Sequence, residues 1–294
     1  MSKRRRPPVK TWSTPVTKEN SFSIPCALCG GGQFAPSLAC EGFSYVKCAA
    51  CGLVQINPQP SAADVELRYK DSRGGEYFLY ELKNEAAFLE LQKLALADAG
   101  FYRLERELMR HKEKAPRVLD IGCATGAMPA FLKERGWQAA GIEISPAAAY
   151  ARNVRGLDVL STSLENSSLP GDSFDLVLAS HVIEHLNNPR QFVSEVWRIL
   201  RPGAFLFLTT PNINGFQARL FGGQWRSVIF DHLYLFSVQT IKAMLKAGGF
   251  AADAVFTWGG LAEGTAPRPL KRLADRMVKI TGQGDVMLVK ARKP

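Results

Sequence analysis

A chain of 294 residues, 46% hydrophobic and 22% charged, is long enough to bury one substantial core and carry a small appendage, with a composition ordinary for a soluble globular protein. It has no apolar run long enough for a membrane span, and no apolar stretch follows the basic start MSKRRRPPVK, so no secretory signal is expected and the expected compartment is the cytoplasm. Of the formal charge of +10, +5 falls in residues 1–20 and +4 in 267–281, leaving +1 for the rest, which is not the pattern of a folded body that grips nucleic acid throughout.

Residues 1–21 are basic and aperiodic and predict a disordered tail. Residues 22–58 hold Cys26-x2-Cys29 and Cys48-x2-Cys51, 18 residues apart, with Gly30 and Gly52 directly after the pairs. Four thiolates from two short loops can surround a tetrahedral Zn²⁺ at about 2.3 Å and close its shell, so the spacing predicts a zinc ribbon with a structural rather than catalytic ion. Without an export signal, cysteines read as ligands or thiols and not as disulfides. Lys47 and Glu41 cancel between the pairs, and four thiolates with Zn²⁺ add about −2, which makes the ribbon a poor phosphate binder. Cys40 and Cys123 lie outside the pairs and are expected to pack.

Residues 59–115 predict a helical connector, with Phe88, Leu91, Leu94 and Ala95, then Phe101, Leu104 and Leu108, at spacings of three and four. Pro116 ends it, and 116–294 reads as alternating strands and helices, the signature of a parallel sheet with crossover helices. Strands are expected at 117–121, 139–144, 174–180 and 204–210, with helices at 127–135, 147–155, 190–200 and from Ser237 to Ala247. Asn188-Pro189 and Ser237 are the helix-start signals, and Gly136, Gly156 and Gly248 the stops.

DIGCATG (120–126) joins the first of these strands to the first helix, and Gly122 and Gly126 let the backbone turn tightly against a ligand. Asp120 precedes the turn, and Glu143 ends the next strand, where a carboxylate can accept both hydroxyls of a ribose. DIGCATG, GIEIS, FDLVLASHVIEH and ILRPGAFLFLTTPN resemble the successive motifs of the class I S-adenosylmethionine-dependent methyltransferases, over about 116–250, and 284–294 resembles their final antiparallel strand. The resemblance implies a Rossmann-like α/β fold with a mostly parallel seven-stranded sheet. It implies cofactor contacts from Asp120, Gly122, Gly126 and Glu143, and more loosely from Ser163 to Glu165 near adenine. Ala124 stands where the family usually has a glycine, and Glu165 is only an approximate match.

Methyl transfer requires an acceptor aligned with the sulfonium and often a base for its proton. Ligands of open α/β sheets lie beyond the carboxyl ends of the strands, which brings forward His181, Glu184 and His185 in SHVIEH. His181-x-x-Glu184-His185 also matches a zinc-peptidase pattern, but that motif needs a helix, whereas this one leaves a strand. A lid-like insert around 213–236 contains Asp231, His232 and Tyr234. His232 is the preferred base, His181 the second and Tyr234 a helper, while Glu184 and His185 are expected to brace the loop. Residues 267–281 predict a basic amphipathic helix, expected to pack on the fold with a solvated surface, the alternative being peripheral contact with an anionic membrane. The expected acceptor is a small molecule or saccharide, methylated at oxygen or carbon, in the manner of cell-surface glycan or secondary-metabolite pathways. An RNA methyltransferase and a non-catalytic S-adenosylmethionine-binding scaffold are the alternatives.

Overall fold

The computed structural model describes residues 21–40, 42–70, 72–111, 114–260 and 267–294. The expected basic tail lies outside these, except that Ser21 already opens a strand. In chain order the N-terminal part has β1 (Ser21–Phe22), β2 (Phe34–Cys40), β3 (Phe43–Cys48), β4 (Val54–Ile56) and β5 (Gln59–Pro60), followed by α1 (Ala62–Lys70), α2 (Ser72–Asp98) and α3 (Phe101–His111). The remainder comprises β6 (Arg117–Ile121), α4 (Ala127–Glu134), β7 (Gln138–Ile142), α5 (Ala147–Asn153), β8 (Asp158–Leu160), β9 (Phe174–Ser180), α6 (Pro189–Ile199) and β10 (Leu200–Pro211). It ends with α7 (Phe216–Phe221), β11 (Tyr234–Leu235), α8 (Val238–Ala247), β12 (Ala251–Trp258), α9 (Arg268–Thr281) and β13 (Val286–Arg292).

The central sheet has seven strands in the order β12-β13-β10-β9-β6-β7-β8. The β10-β9-β6-β7-β8 run is parallel, and β13 is antiparallel to both β10 and β12, as the resemblance implied. The strand β9 reads FDLVLAS because it is buried on both faces between helix layers. The Asn188 side chain accepts from Gln191 N at 3.1 Å and Pro189 fills the first turn, so α6 starts where a cap and a fixed φ coincide. Ser237 and Thr240 form a reciprocal capping box on α8. The short β8, the two-residue β11 and β12 are strands beyond those expected from the sequence.

The connector helices cover one face of the sheet through Leu96, Ala99, Phe101 and Leu104, which join Val118, Leu132, Trp137 and Phe207 in one core cluster. Burying each such large apolar side chain contributes about 1.5–3 kcal/mol. The Trp137 indole donates to Glu105 at 3.0 Å and Arg135 pairs with the same carboxylate, locking α3 onto α4. Leu91 and Leu94, expected in the apolar stripe, are instead exposed; the register that packs runs through Leu89 and Leu96.

The segment that carries the four cysteines is not a separate appendage. Its sheet has the order β11-β4-β3-β2, so Tyr234–Leu235 from the later part of the chain completes it. The Tyr45 hydroxyl reaches the carbonyls of Ile229 and His232 at 3.0 and 2.7 Å, and Ile56 N donates to Leu233 O at 2.9 Å. The expected lid at 213–236 is therefore a packed wall over its second half: Trp225 is buried, its indole donates to Asp285 at 3.0 Å, and residues 229–235 are held by the ribbon.

Candidate active site

Loop geometry at 120–126 follows from backbone sterics. Gly122 sits at φ +72°, and a Cβ there would lie 2.6 Å from Val182 Cγ2. Gly126, at φ +81°, precedes α4, and its Cβ would meet Leu157 and Ala151 at 2.6 and 2.9 Å. Ala124 holds a left-handed φ of +47°, so the alanine adopts the conformation the usual glycine would take. Its N–H donates to Glu143 Oε2 at 2.9 Å, while Ser145 N donates to Oε1 at 2.7 Å. The second-strand acid thereby fixes the shape of the glycine loop. Cys123 is buried, with its sulfur close against Gly141, as a packing role requires. The side chain of Cys40 lies outside what is described.

Asp120 is buried beside Glu143, and burial, with that second carboxylate, pushes its pKa up to about 8. Among the described residues neither acid has a cationic partner. A buried pair of carboxylates with unused acceptor capacity, beside a tight loop whose two glycines pack against Val182, Leu157 and Ala151, fits a cationic nucleoside such as S-adenosylmethionine. Ser163 and Glu165 lie just beyond β8, whose Leu160 carbonyl accepts from Glu143 N at 3.0 Å, so the structure brings them to the same edge without giving their side chains a described hydrogen bond.

His181 follows the carboxyl end of β9 with φ +56°, an uncommon conformation for a non-glycine residue. Its side chain is 45% exposed, and its Nδ1 lies 3.0 Å from Oε1 of Glu184, which is fully buried. The other oxygen of Glu184 accepts from the Thr210 hydroxyl at 3.0 Å. Although burial opposes ionisation, the hydrogen bond from His181 and the nearby histidines bring Glu184 down to about 2. An ionised carboxylate only accepts, so the Nδ1 of His181 donates to it, which in the neutral imidazole leaves the lone pair on Nε2.

His232 is differently placed. It is 8% exposed, its Nδ1 donates to Ser227 O at 2.8 Å, and its ring packs edge-on against His185 at 4.7 Å. Burial, reinforced by His185, lowers its pKa to about 3. Tyr234 is fully buried, with its hydroxyl donating to Asn187 O at 3.0 Å, and burial raises it to about 12. A phenol with no exposed surface cannot assist at an acceptor; its place is the seam between ribbon and sheet. Glu184, His185 and His232 each offer a ligand atom within 4.8 Å of the others, but both oxygens of Glu184 are already engaged, so we read the cluster as a hydrogen-bonded brace.

The contribution from α1 and α2 is not foreseen by any motif. The Tyr69 hydroxyl lies 3.0 Å from His185 Nδ1, and burial with Asp231, Glu143 and Glu184 raises its pKa. Glu81, on α2, is raised by burial, with the Tyr77 hydrogen bond opposing and the Glu143 charge adding to the rise. Only the clustering of Tyr69, Tyr77 and Tyr80 ahead of a helical stretch could have hinted at this.

In the ribbon, Cys26 and Cys51 sulfurs are 3.4 Å apart and Cys29 and Cys48 sulfurs 3.5 Å apart, with all four ligand atoms within 4.8 Å. A tetrahedral Zn²⁺ with Zn–S of about 2.3 Å needs sulfur separations of about 3.8 Å, so the donor set is compatible with zinc after a slight expansion. The two knuckles match: Cys26 O accepts from Gly30 N, and Cys48 O from Gly52 N.

A family described as "Methyltransferase domain" matches residues 93–255. A "Probable S-adenosylmethionine-dependent methyltransferase" of Mycolicibacterium smegmatis is 30% identical over 57% of this chain and 67% of its own length. A ubiquinone biosynthesis O-methyltransferase of Hahella chejuensis is 31% identical, but over 33% of this chain and only 44% of that enzyme. A malonyl-[acyl-carrier protein] O-methyltransferase of a Paenibacillus species is 27% identical over 52% of this chain and 56% of its own. The solved structure of a S-adenosylmethionine-dependent methyltransferase from Archaeoglobus fulgidus, at 22% identity, covers 74% of this chain and 99% of that one with a TM-score of 0.52, showing the same fold. The chain spans about half the length of most of the curated relatives it matches, and it belongs to the methyltransferase-domain family.

Proposed function

We propose that this enzyme methylates a hydroxyl of a small-molecule or saccharide-type acceptor, with His181 taking the acceptor proton and a structural zinc ion in the ribbon. The observation that carries the reading is the half-exposed His181 backed by the buried, ionised Glu184 at the carboxyl end of β9. It displaces His232 as the favoured base, because a buried imidazole held at about 3 has little affinity for a proton and no open face for a substrate. Two relatives whose names specify O-methylation are in keeping with an oxygen acceptor.

Asp120 and Glu143, with the Gly122–Gly126 turn, would hold S-adenosylmethionine, which when bound supplies a methyl group on a sulfonium and leaves as a neutral thioether. Glu184 keeps the proton of His181 on Nδ1, so the Nε2 lone pair can accept the acceptor's O–H proton as the new O–CH3 bond forms and the S–CH3 bond breaks. Thr210 holds Glu184 in place. Tyr69, whose hydroxyl meets His185, would help exclude water from beside this cluster. Such general-base assistance is worth roughly 10²–10⁴-fold.

Cell-surface glycan and secondary-metabolite intermediates are the acceptor classes we favour. The test is methyl transfer to panels of sugar nucleotides, catechols and hydroxy acids, with folded RNA as the opposing panel. Turnover on a small acceptor that His181→Ala reduces at least a hundredfold supports the reading. Salt-dependent turnover on RNA alone would overturn it.

A further inference from the structure

The connection between β12 and β13 contains α9, whose sequence RPLKRLADRMVKIT places Leu270, Leu273, Met277 and Ile280 at intervals of three, four and three. That spacing sets four apolar side chains on one stripe. A helix packed by this stripe would bury it, as was expected from the sequence. It does not: the four side chains are 53%, 56%, 56% and 75% exposed. The helix is held by a different side, through buried Val278, whose carbonyl accepts from the Thr257 hydroxyl at 3.0 Å, and through Asp275, which accepts from Gly260 N at 2.9 Å. Lys279 reaches Asp98 at the end of α2 at 2.6 Å. The helix is thus anchored to the fold while its most apolar face looks outward.

Topology decides where that face sits. Trp258 and Val286 pair with each other, and Val286 pairs with Pro211, the last residue of β10. The insert therefore emerges at the carboxyl end of the sheet, the end from which His181 and Thr210 also project. Its exit is tied to α7, since Phe216 N donates to Gln283 O at 2.8 Å, and α7 adds exposed Phe216 and Leu220.

Charge selects the occupant. Residues 268–281 carry Arg268, Lys271, Arg272, Arg276 and Lys279 against Asp275, a formal +4. Pairing two copies through the stripe would bring two such charges together, whereas an anionic bilayer complements them. We propose that α9 docks on an anionic membrane surface, with Leu270, Leu273, Met277 and Ile280 in the interface, so that the acceptor end of the sheet faces lipid and the acceptor is amphiphilic or lipid-linked. The acceptor part rests on the site reading above; the docking part does not.

The experiment is co-sedimentation of the full chain with phosphatidylcholine vesicles, with and without phosphatidylglycerol, beside sedimentation velocity without lipid. Expected are binding that needs phosphatidylglycerol and weakens with salt, and at least a tenfold loss in Leu273→Glu/Ile280→Glu, which keeps wild-type circular dichroism because both positions are exposed. Asp120→Asn should bind vesicles as wild type does, separating docking from methyl transfer. Equal binding to both vesicle types, no binding, or unchanged binding by the double variant overturns the proposal. A dimer dissolved by the double variant, with no vesicle binding, would show that a second copy covers the stripe.

Discussion

Replacing Asp120 by asparagine isolates the charge pair at the centre of the cofactor reading. Burial beside Glu143 pushes the Asp120 carboxyl up to about 8, so near neutral pH its protonated form predominates. A bound cation favours the ionised carboxylate, so wild type should release a proton from this group on binding near neutral pH, and less as pH rises past about 8. Asp120→Asn should release none from this position. Calorimetric titration of S-adenosylmethionine in buffers of different ionisation enthalpy measures the release, and the difference between the two proteins cancels the ligand's own titration. The same raised pKa acts on stability: the contribution is fully present below the ordinary value near 4 and lost as pH rises through about 8, so the variant should show a flatter stability profile across that interval. Identical proton release by both proteins would refute the claim that Asp120 is a protonated acid awaiting a cation.

His232 and Glu184 titrate with the opposite sign, both held below their ordinary values, so their contributions are present near neutrality and lost as pH falls toward about 3 and about 2. His232→Phe should flatten the acid limb of the unfolding profile between about pH 6.5 and 3, read by denaturant titration at stepped pH. Tyr45→Phe removes the hydroxyl that reaches the carbonyls of Ile229 and His232, and should cost about 1–3 kcal/mol in denaturant unfolding. Gly126→Val places a side chain against Leu157 and Ala151 and should weaken S-adenosylmethionine binding at least tenfold by calorimetry. Cys48→Ser removes one of four converging thiolates, so zinc content by plasma mass spectrometry should fall and the melting temperature with it.

The sheet was legible because its signals are local. Asn188-Pro189, Ser237 and the all-apolar FDLVLAS each specify their element from within a few residues. Gly122, Gly126, Asp120 and Glu143 were legible for the same reason, lying on one strand–loop–helix unit and the strand beside it. What escaped depends on partners distant in sequence. Leu91 and Leu94 keep a good helical spacing, yet the register through Leu89 and Leu96 meets the sheet. The preference for His232 rested on its place in an insert, and nothing nearby in sequence reveals that Tyr45, 187 residues away, secures its carbonyl. Tyr69 reaches the site only through its contact with His185, 116 residues further along the chain. The motif SHVIEH put His181 and Glu184 forward together, but their different roles follow from one being half-exposed and the other fully buried.

The most direct test is single-turnover methyl transfer to an identified small acceptor, at saturating cofactor and acceptor, for wild type, His181→Ala and His232→Phe. The account predicts a loss of at least a hundredfold for His181→Ala with cofactor affinity unchanged, partial rescue by added imidazole, and near-wild-type transfer for folded His232→Phe. Full transfer by His181→Ala, or a loss confined to His232→Phe, would contradict it.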